Sequence, residues 1–217
     1  MREKRLSVET PRGTVSALRT GPGKDAPLLV LGHGAGRDIE DPLLVGFAEG
    51  LAAEGIACLR FNFPYRELGK RAPDPEPVLR RTWEAAFDLG AKSGSPAWAG
   101  GKSLGGRIAS MVVADGLPAA GLVFVGYPLH PPGKPERVRD AHLAAIRVPM
   151  LFLQGTADPF ARPELLERTL KRLGDRATLH RVEGGDHSFR VRGTPKDDAG
   201  TGRSLGEIAG RFVNSHP

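Results

Sequence analysis

Cysteine is nearly missing from this 217-residue chain: Cys58 stands alone, so no disulfide can close within it. A small fold held by disulfide staples is excluded, and a reducing, intracellular setting is expected. Neither a cysteine pair nor a His-Glu-x-x-His sequence offers a zinc site, and no metal or cofactor is expected. Long apolar runs are absent too, none nearing the ~20 residues a membrane helix needs. Met1-Arg2-Glu3-Lys4-Arg5 leads straight into Leu6-Ser7-Val8-Glu9, without the apolar stretch of a secretory signal. The expectation is a cytoplasmic protein with no membrane partner. Internal repeats, heptads and low-complexity tracts are also lacking.

Acidic residues are the minority, 25 against 31 lysines and arginines, for a net charge of +6. The excess is scattered, with no more than two basic residues adjacent. Solvated helix faces and loops are expected from it, and no nucleic-acid partner. A positive cleft that attracts anionic substrates is a further reading.

What is abundant is punctuation, 29 glycines and 19 prolines, between short apolar runs. The runs alternate with helical patterns, which predicts a mostly parallel sheet flanked by helices on both faces. The length suits one domain, residues 1–217. Leu28-Leu29-Val30-Leu31 is continuously apolar, as in a strand buried on both faces. A helix follows, with Asp41 as N-cap, Pro42 at its first position and Gly55 past its end. Next come strand Ala57–Phe61, a polar loop, a helix around Val78–Leu89 and strand Pro96–Gly100. Further on are strand Gly121–Tyr127, helix Val138–Ile146, strand Met150–Gln154, helix Pro163–Leu173, strand Ala177–Val182 and a helix near Ser204–Val213. Arg5–Glu9 and Thr14–Arg19 read as an antiparallel edge pair, and Arg190–Arg203 as a mobile loop. The short connection between Tyr127 and Met150 leaves no room for an inserted helical lid, so no cap domain is expected.

Gly101-Lys102-Ser103-Leu104-Gly105 carries the G-x-S-x-G spacing of a nucleophile elbow, between an apolar run and a helix in which Ile108, Met111 and Val112 share a face. Glycines two before and two after the serine relieve the crowding of so tight a turn. Gly202-Arg203-Ser204-Leu205-Gly206 matches the spacing too, but no strand precedes it. Ser204 with Glu207 reads instead as a capping box.

A serine hydroxyl needs a base, and the base an orienting carboxylate. On this architecture the order should be Ser, then Asp or Glu, then His. Asp158 follows strand Met150–Gln154, and His187 follows the last strand, both where α/β sites assemble. The catalytic candidates are therefore Ser103, Asp158 and His187. An Asp before a proline also commonly caps a turn. Oxyanion donors are expected from Ala35 N–H, in His33-Gly34-Ala35-Gly36, and from Leu104 N–H; His33 itself reads as structural.

Gly101-Lys102-Ser103 lacks the first glycine of a P-loop, since Pro96 stands there; Arg37 stands where a dinucleotide fingerprint needs its third glycine. Tyr65, Arg66, Phe160 and Phe189 are expected to contact substrate. Arg107, in the first helical turn, could pair with a carboxylate, meet an anionic ligand or stay solvated.

At this point the chain resembles the α/β-hydrolase superfamily. More narrowly it is similar to the small lidless branch related to dienelactone hydrolases, which includes a subunit of a chromatin acetyltransferase complex and its testis-expressed relatives. The similar segments are His33–Gly36, Phe61-Asn62-Phe63-Pro64-Tyr65, Gly100–Arg107, Tyr127–Pro135, Leu153-Gln154-Gly155 with Asp158-Pro159-Phe160, and Gly184–Phe189. The resemblance implies Ser103, Asp158 and His187 as a triad in a serine hydrolase of small carboxylic esters or thioesters. Serine at 103 departs from true dienelactone hydrolases, which use cysteine, so their substrate class is not implied. Relatives that work inside complexes imply the alternative, a catalytically silent binding module. No protein partner is otherwise indicated.

Overall fold

The apolar run at Leu28 forms a strand with no exposed residue, and the sheet grows outward from it. The computed structural model describes residues 3–23, 25–92 and 96–216. In chain order its elements are β1 (Glu3–Thr10), β2 (Gly13–Thr20), β3 (Leu28–Gly32), α1 (Pro42–Ala53), β4 (Ala57–Phe61), α2 (Pro64–Glu67), α3 (Glu76–Ala91), β5 (Ala97–Lys102), α4 (Leu104–Ala114), β6 (Leu122–Val125), β7 (Met150–Gly155), α5 (Pro163–Leu173), β8 (Ala177–Val182) and α6 (Asp198–Asn214). The eight strands lie in the order β1-β2-β4-β3-β5-β6-β7-β8. From β4 to β8 all neighbours run parallel; β1 and β2 are the antiparallel exceptions. This is the α/β-hydrolase arrangement, with an antiparallel pair at one side of a parallel sheet.

Alternation along the strands feeds two cores. Val30 faces Trp83, Phe87, Ile108 and Val112 from α3 and α4, while Leu29 and Leu31 face Phe47 and Leu51 of α1 and Leu205 and Ala209 of α6. Each large side chain so buried contributes about 1.5–3 kcal/mol. Asp41 caps α1 as expected, its carboxylate accepting from Leu43 N–H at 3.0 Å.

Three expectations need correction. The helix expected at Val138–Ile146 is only a 3₁₀ turn, Ala141–Ala145, and Ile146 is already extended. Pro149 lies three residues on and disfavours continued helix in the residue before it. A short helix, α2, stands where a plain polar loop was expected. The last helix starts at Asp198 rather than near Ser204, with Asp197 as N-cap accepting from Gly200 N–H at 2.7 Å. Ser204 is therefore inside α6, and its hydroxyl donates back to Gly200 O at 3.2 Å.

The loop-like glycines that hid the start of α6 have a packing role. A Cβ on Gly202 would lie 2.1 Å from Leu43 O, and one on Gly206 would lie 2.2 Å from Phe47 O. From the α1 side, a Cβ on Gly46 would meet Ala199 O at 2.0 Å, and one on Gly50 would meet Arg203 O at 2.1 Å. The two backbones touch along a face that repeats every four residues. The second G-x-S-x-G match is thus a helix-contact stripe. Between β6 and β7 the described residues hold no helix but the 3₁₀ turn.

Candidate active site

Ser103 sits between β5 and α4 with φ 49° and ψ −110°, a left-handed conformation that non-glycine residues rarely hold. Close packing over-determines it. A Cβ on Gly101 would lie 2.5 Å from Gly106 N, and one on Gly105 2.1 Å from Gly32 O. Ser103 N–H donates to Val125 O at 3.2 Å, and Gly105 N–H to His33 O at 3.1 Å. The hydroxyl is left facing the carboxyl edge of the sheet.

His187 arrives from the loop after β8, which Asp186 organises by accepting from Ser188 N–H at 2.7 Å and Arg190 N–H at 3.0 Å. The loop after β7 meets it closely, Ala157 N–H donating to Gly185 O at 2.9 Å. Ser103 Oγ lies 2.8 Å from His187 Nε2, and His187 Nδ1 lies 2.7 Å from Asp158 Oδ2. An ionised carboxylate only accepts, so the proton belongs on Nδ1 and Nε2 is left to accept from the serine. Asp158 is buried, and both its oxygens are used. Oδ1 caps the turn by accepting from Phe160 N–H at 2.8 Å, while Oδ2 takes His187 and the Gln154 amide at 2.6 Å. Turn-capping and histidine-holding are combined in one side chain.

These groups open on a cleft of about 290 Å³, lined by Gly34, Ala35, Gly36, Arg37, Asp41, Leu43, Lys102, Ser103, Phe160, His187, Ser188, Arg190 and Asp198. Phe160 reaches it, its ring stacked on His187 with centroids 4.2 Å apart. Tyr65, Arg66 and Phe189 do not line it. Tyr65 is buried behind the Ala35 loop and donates its hydroxyl to Ala35 O at 2.8 Å. Arg66 pairs with Asp38 at 3.2 Å. Phe189, at φ 62°, packs into the core under Lys102. A loop next to a site in sequence can support it from behind, and these three residues stand behind or beside the cleft.

His33 is structural, as expected. Its Nε2 accepts Phe63 N–H at 3.0 Å and its Nδ1 donates to Gly34 O at 2.8 Å. Complete burial pushes its pKa down to about 4. Leu104 N–H, at the first position of α4, has no intrahelical acceptor. Ala35 stands in the cleft wall nearby.

A second serine–histidine contact, Ser110 Oγ to His142 Nε2 at 2.8 Å, has the opposite polarity. The single Ser110 proton is donated to Arg107 O at 2.7 Å, so the histidine must donate. Ser110 is fully buried in α4 and is not activated. Arg107 itself lies 3.7 Å from Glu76, so the carboxylate alternative is the one realised.

Residues 25–211 match the alpha/beta hydrolase domain family. The chain belongs to that family. Among solved structures, it is similar to a dienelactone hydrolase from Anabaena variabilis, with a TM-score of 0.78 at 18% identity over 99% of this chain and 98% of that one. A lidless α/β serine hydrolase from Xanthomonas campestris gives 0.74 at 20% identity over 98% and 95%. The esterase domain of a Rhodothermus marinus protein gives 0.75 at 18% over 100% and 99%. Identities this low carry the fold alone. Among the described residues of this α/β hydrolase no cluster could hold a metal ion, and no helix is long and apolar enough to cross a membrane.

Gln154 and the part of the cleft wall made by Arg37, Asp41, Arg190 and Asp198 escaped the sequence reading as site residues. The one signal for Gln154 was an amide closing an otherwise apolar run, Met150-Leu151-Phe152-Leu153.

Proposed function

We propose that this α/β hydrolase is a serine hydrolase that cleaves small carboxylic esters or thioesters through an acyl-enzyme. The observation that carries the reading is the unbroken chain Ser103 Oγ, His187, Asp158, at 2.8 and 2.7 Å. As Ser103 Oγ bonds to the carbonyl carbon, its proton passes to His187 Nε2, and Asp158 steadies the resulting imidazolium. Ala35 and Leu104 N–H groups hold the oxyanion. The C–O or C–S bond then breaks and His187 returns the proton to the departing alcohol or thiol. Water, deprotonated by the same histidine, attacks the acyl carbon and releases a carboxylic acid and free Ser103. The route needs no cofactor.

The rival that the sequence resemblance implies is a silent binding module. The two part on the reactivity of one hydroxyl. Treatment with a fluorophosphonate, followed by intact mass, should give a single adduct on the wild type and none on Ser103→Ala. No adduct on folded wild-type protein would overturn the enzyme reading.

A further inference from the structure

Lys102 ends β5, directly before the nucleophile, and strand alternation sends its side chain to the α1–α6 face of the sheet. There it lines the cleft, yet its residue is only 6% exposed and its ammonium has no hydrogen-bond partner. The Nζ sits 5.7 Å over the Phe189 ring, and a Cβ on Gly126 would lie 3.0 Å from it. Gly126 leaves the space that the ammonium occupies.

A buried ammonium without a partner is costly, and in a natural protein it asks for an anion. The other charges of the cleft are already matched. Arg37 lies 3.6 Å from Asp41, which also caps α1. Arg190 forms two bonds to Asp198, at 3.0 and 2.8 Å. Among the residues lining the cleft, Lys102 is the cation that no acid reaches by hydrogen bond or ion pair. Burial lowers its pKa to about 8, while Asp158, Asp41 and Asp186 act in the opposite sense and favour its charge. At neutral pH the ammonium keeps its proton. One ammonium with its donors unused, and with carboxylates already near, suits a monoanion such as a carboxylate better than a doubly charged phosphate.

We infer that Lys102 receives a carboxylate carried by the ester substrate, so that this hydrolase acts on half-esters or half-thioesters of short dicarboxylic acids. The inference rests on the serine-hydrolase reading and adds the substrate class. Adjacency of Lys102 to Ser103 places the anion on the part of the substrate that stays bound to the serine, the acyl chain. A cleft of about 290 Å³ suits a short one.

The test compares 4-nitrophenyl hydrogen glutarate with its methyl-capped, uncharged counterpart, and reads the ratio of the two kcat/KM values. Any loss shared by both esters cancels in that ratio. A charged hydrogen bond in the cleft predicts a wild-type ratio of about 10- to 100-fold in favour of the anion, collapsing towards one in Lys102→Met. A parallel pair, 3-carboxyphenyl acetate against phenyl acetate, puts the carboxylate on the leaving group and should show no such preference. A wild-type ratio near one overturns the inference without needing any variant. A ratio that survives in Lys102→Met overturns it as well and assigns the preference to another cation of the cleft, Arg37 or Arg190. Preference only in the acetate pair would place the carboxylate on the leaving group and overturn the half-ester class. Equal turnover of all four esters would sink this inference alone, whereas turnover of none would sink the hydrolase reading beneath it.

Discussion

Gln154 and His187 meet on one oxygen: Asp158 Oδ2 accepts the Gln154 amide at 2.6 Å and His187 Nδ1–H at 2.7 Å. The other end of the same amide accepts Tyr127 N–H at 2.8 Å, fixing the side chain to the backbone just after β6. Gln154 therefore holds the carboxylate at the angle the histidine requires. Gln154→Leu should lower kcat by about 10- to 100-fold, the worth of one hydrogen bond to a charged group. KM should change little, because Gln154 is outside the cleft. Steady-state kinetics checks both.

The nucleophile and base act as a unit. Ser103→Ala and His187→Ala should each lower turnover by about 10⁴–10⁶-fold, with circular dichroism unchanged. Asp158→Asn should cost on the order of 10⁴-fold, by favouring the wrong tautomer of His187. Wild-type rates in any of the three would remove that residue from the mechanism.

His33 makes stability depend on pH. Unfolded, it takes a proton as the pH drops through 6.5; folded, it stays neutral down to about 4. Its contribution is complete above pH 6.5 and is lost as the pH falls towards 4. Denaturant unfolding should show about 2 kcal/mol less stability at pH 5 than at pH 7 from this group. His33→Gln should lessen that slope, whatever it does to the absolute stability.

The touching backbones of α1 and α6 leave no space for a methyl group. Gly50→Ala and Gly206→Ala should each destabilise by about 1–3 kcal/mol through overpacking, despite the better helix propensity of alanine. Thermal unfolding measures the loss. A gain in Tm would mean that the helices can separate without cost.

How far the sequence was legible follows from where each constraint acts. The elbow could be read because its crowding is local, and Gly101 and Gly105 record it in the chain itself. Asp158 and His187 could be placed because loops after parallel strands converge on one edge. Gln154 could not, since its partners are Tyr127 and Asp158, on different strands or loops. The cleft wall was hidden for a similar reason: Asp41 and Asp198 belong to helices far apart in sequence. Gly200 and Gly202 misled because they suit a loop equally well; the Asp197 cap against Gly200 and the contact of Gly202 with α1 decide for helix.

That contact ties the end of the chain to its beginning. Arg203 pairs with Glu49 and Arg211 with Glu54 across the same interface, and the first turn of α6 brings Asp198 to the cleft. The serine, the aspartate and the histidine likewise follow three separate parallel strands, β5, β7 and β8. Such distant pairings form slowly, after the loops between them have closed. During synthesis the elbow emerges long before the helix that completes its surroundings. Recovery of turnover on refolding should therefore lag behind recovery of helical signal, so that catalysis itself reports the arrival of the last segment.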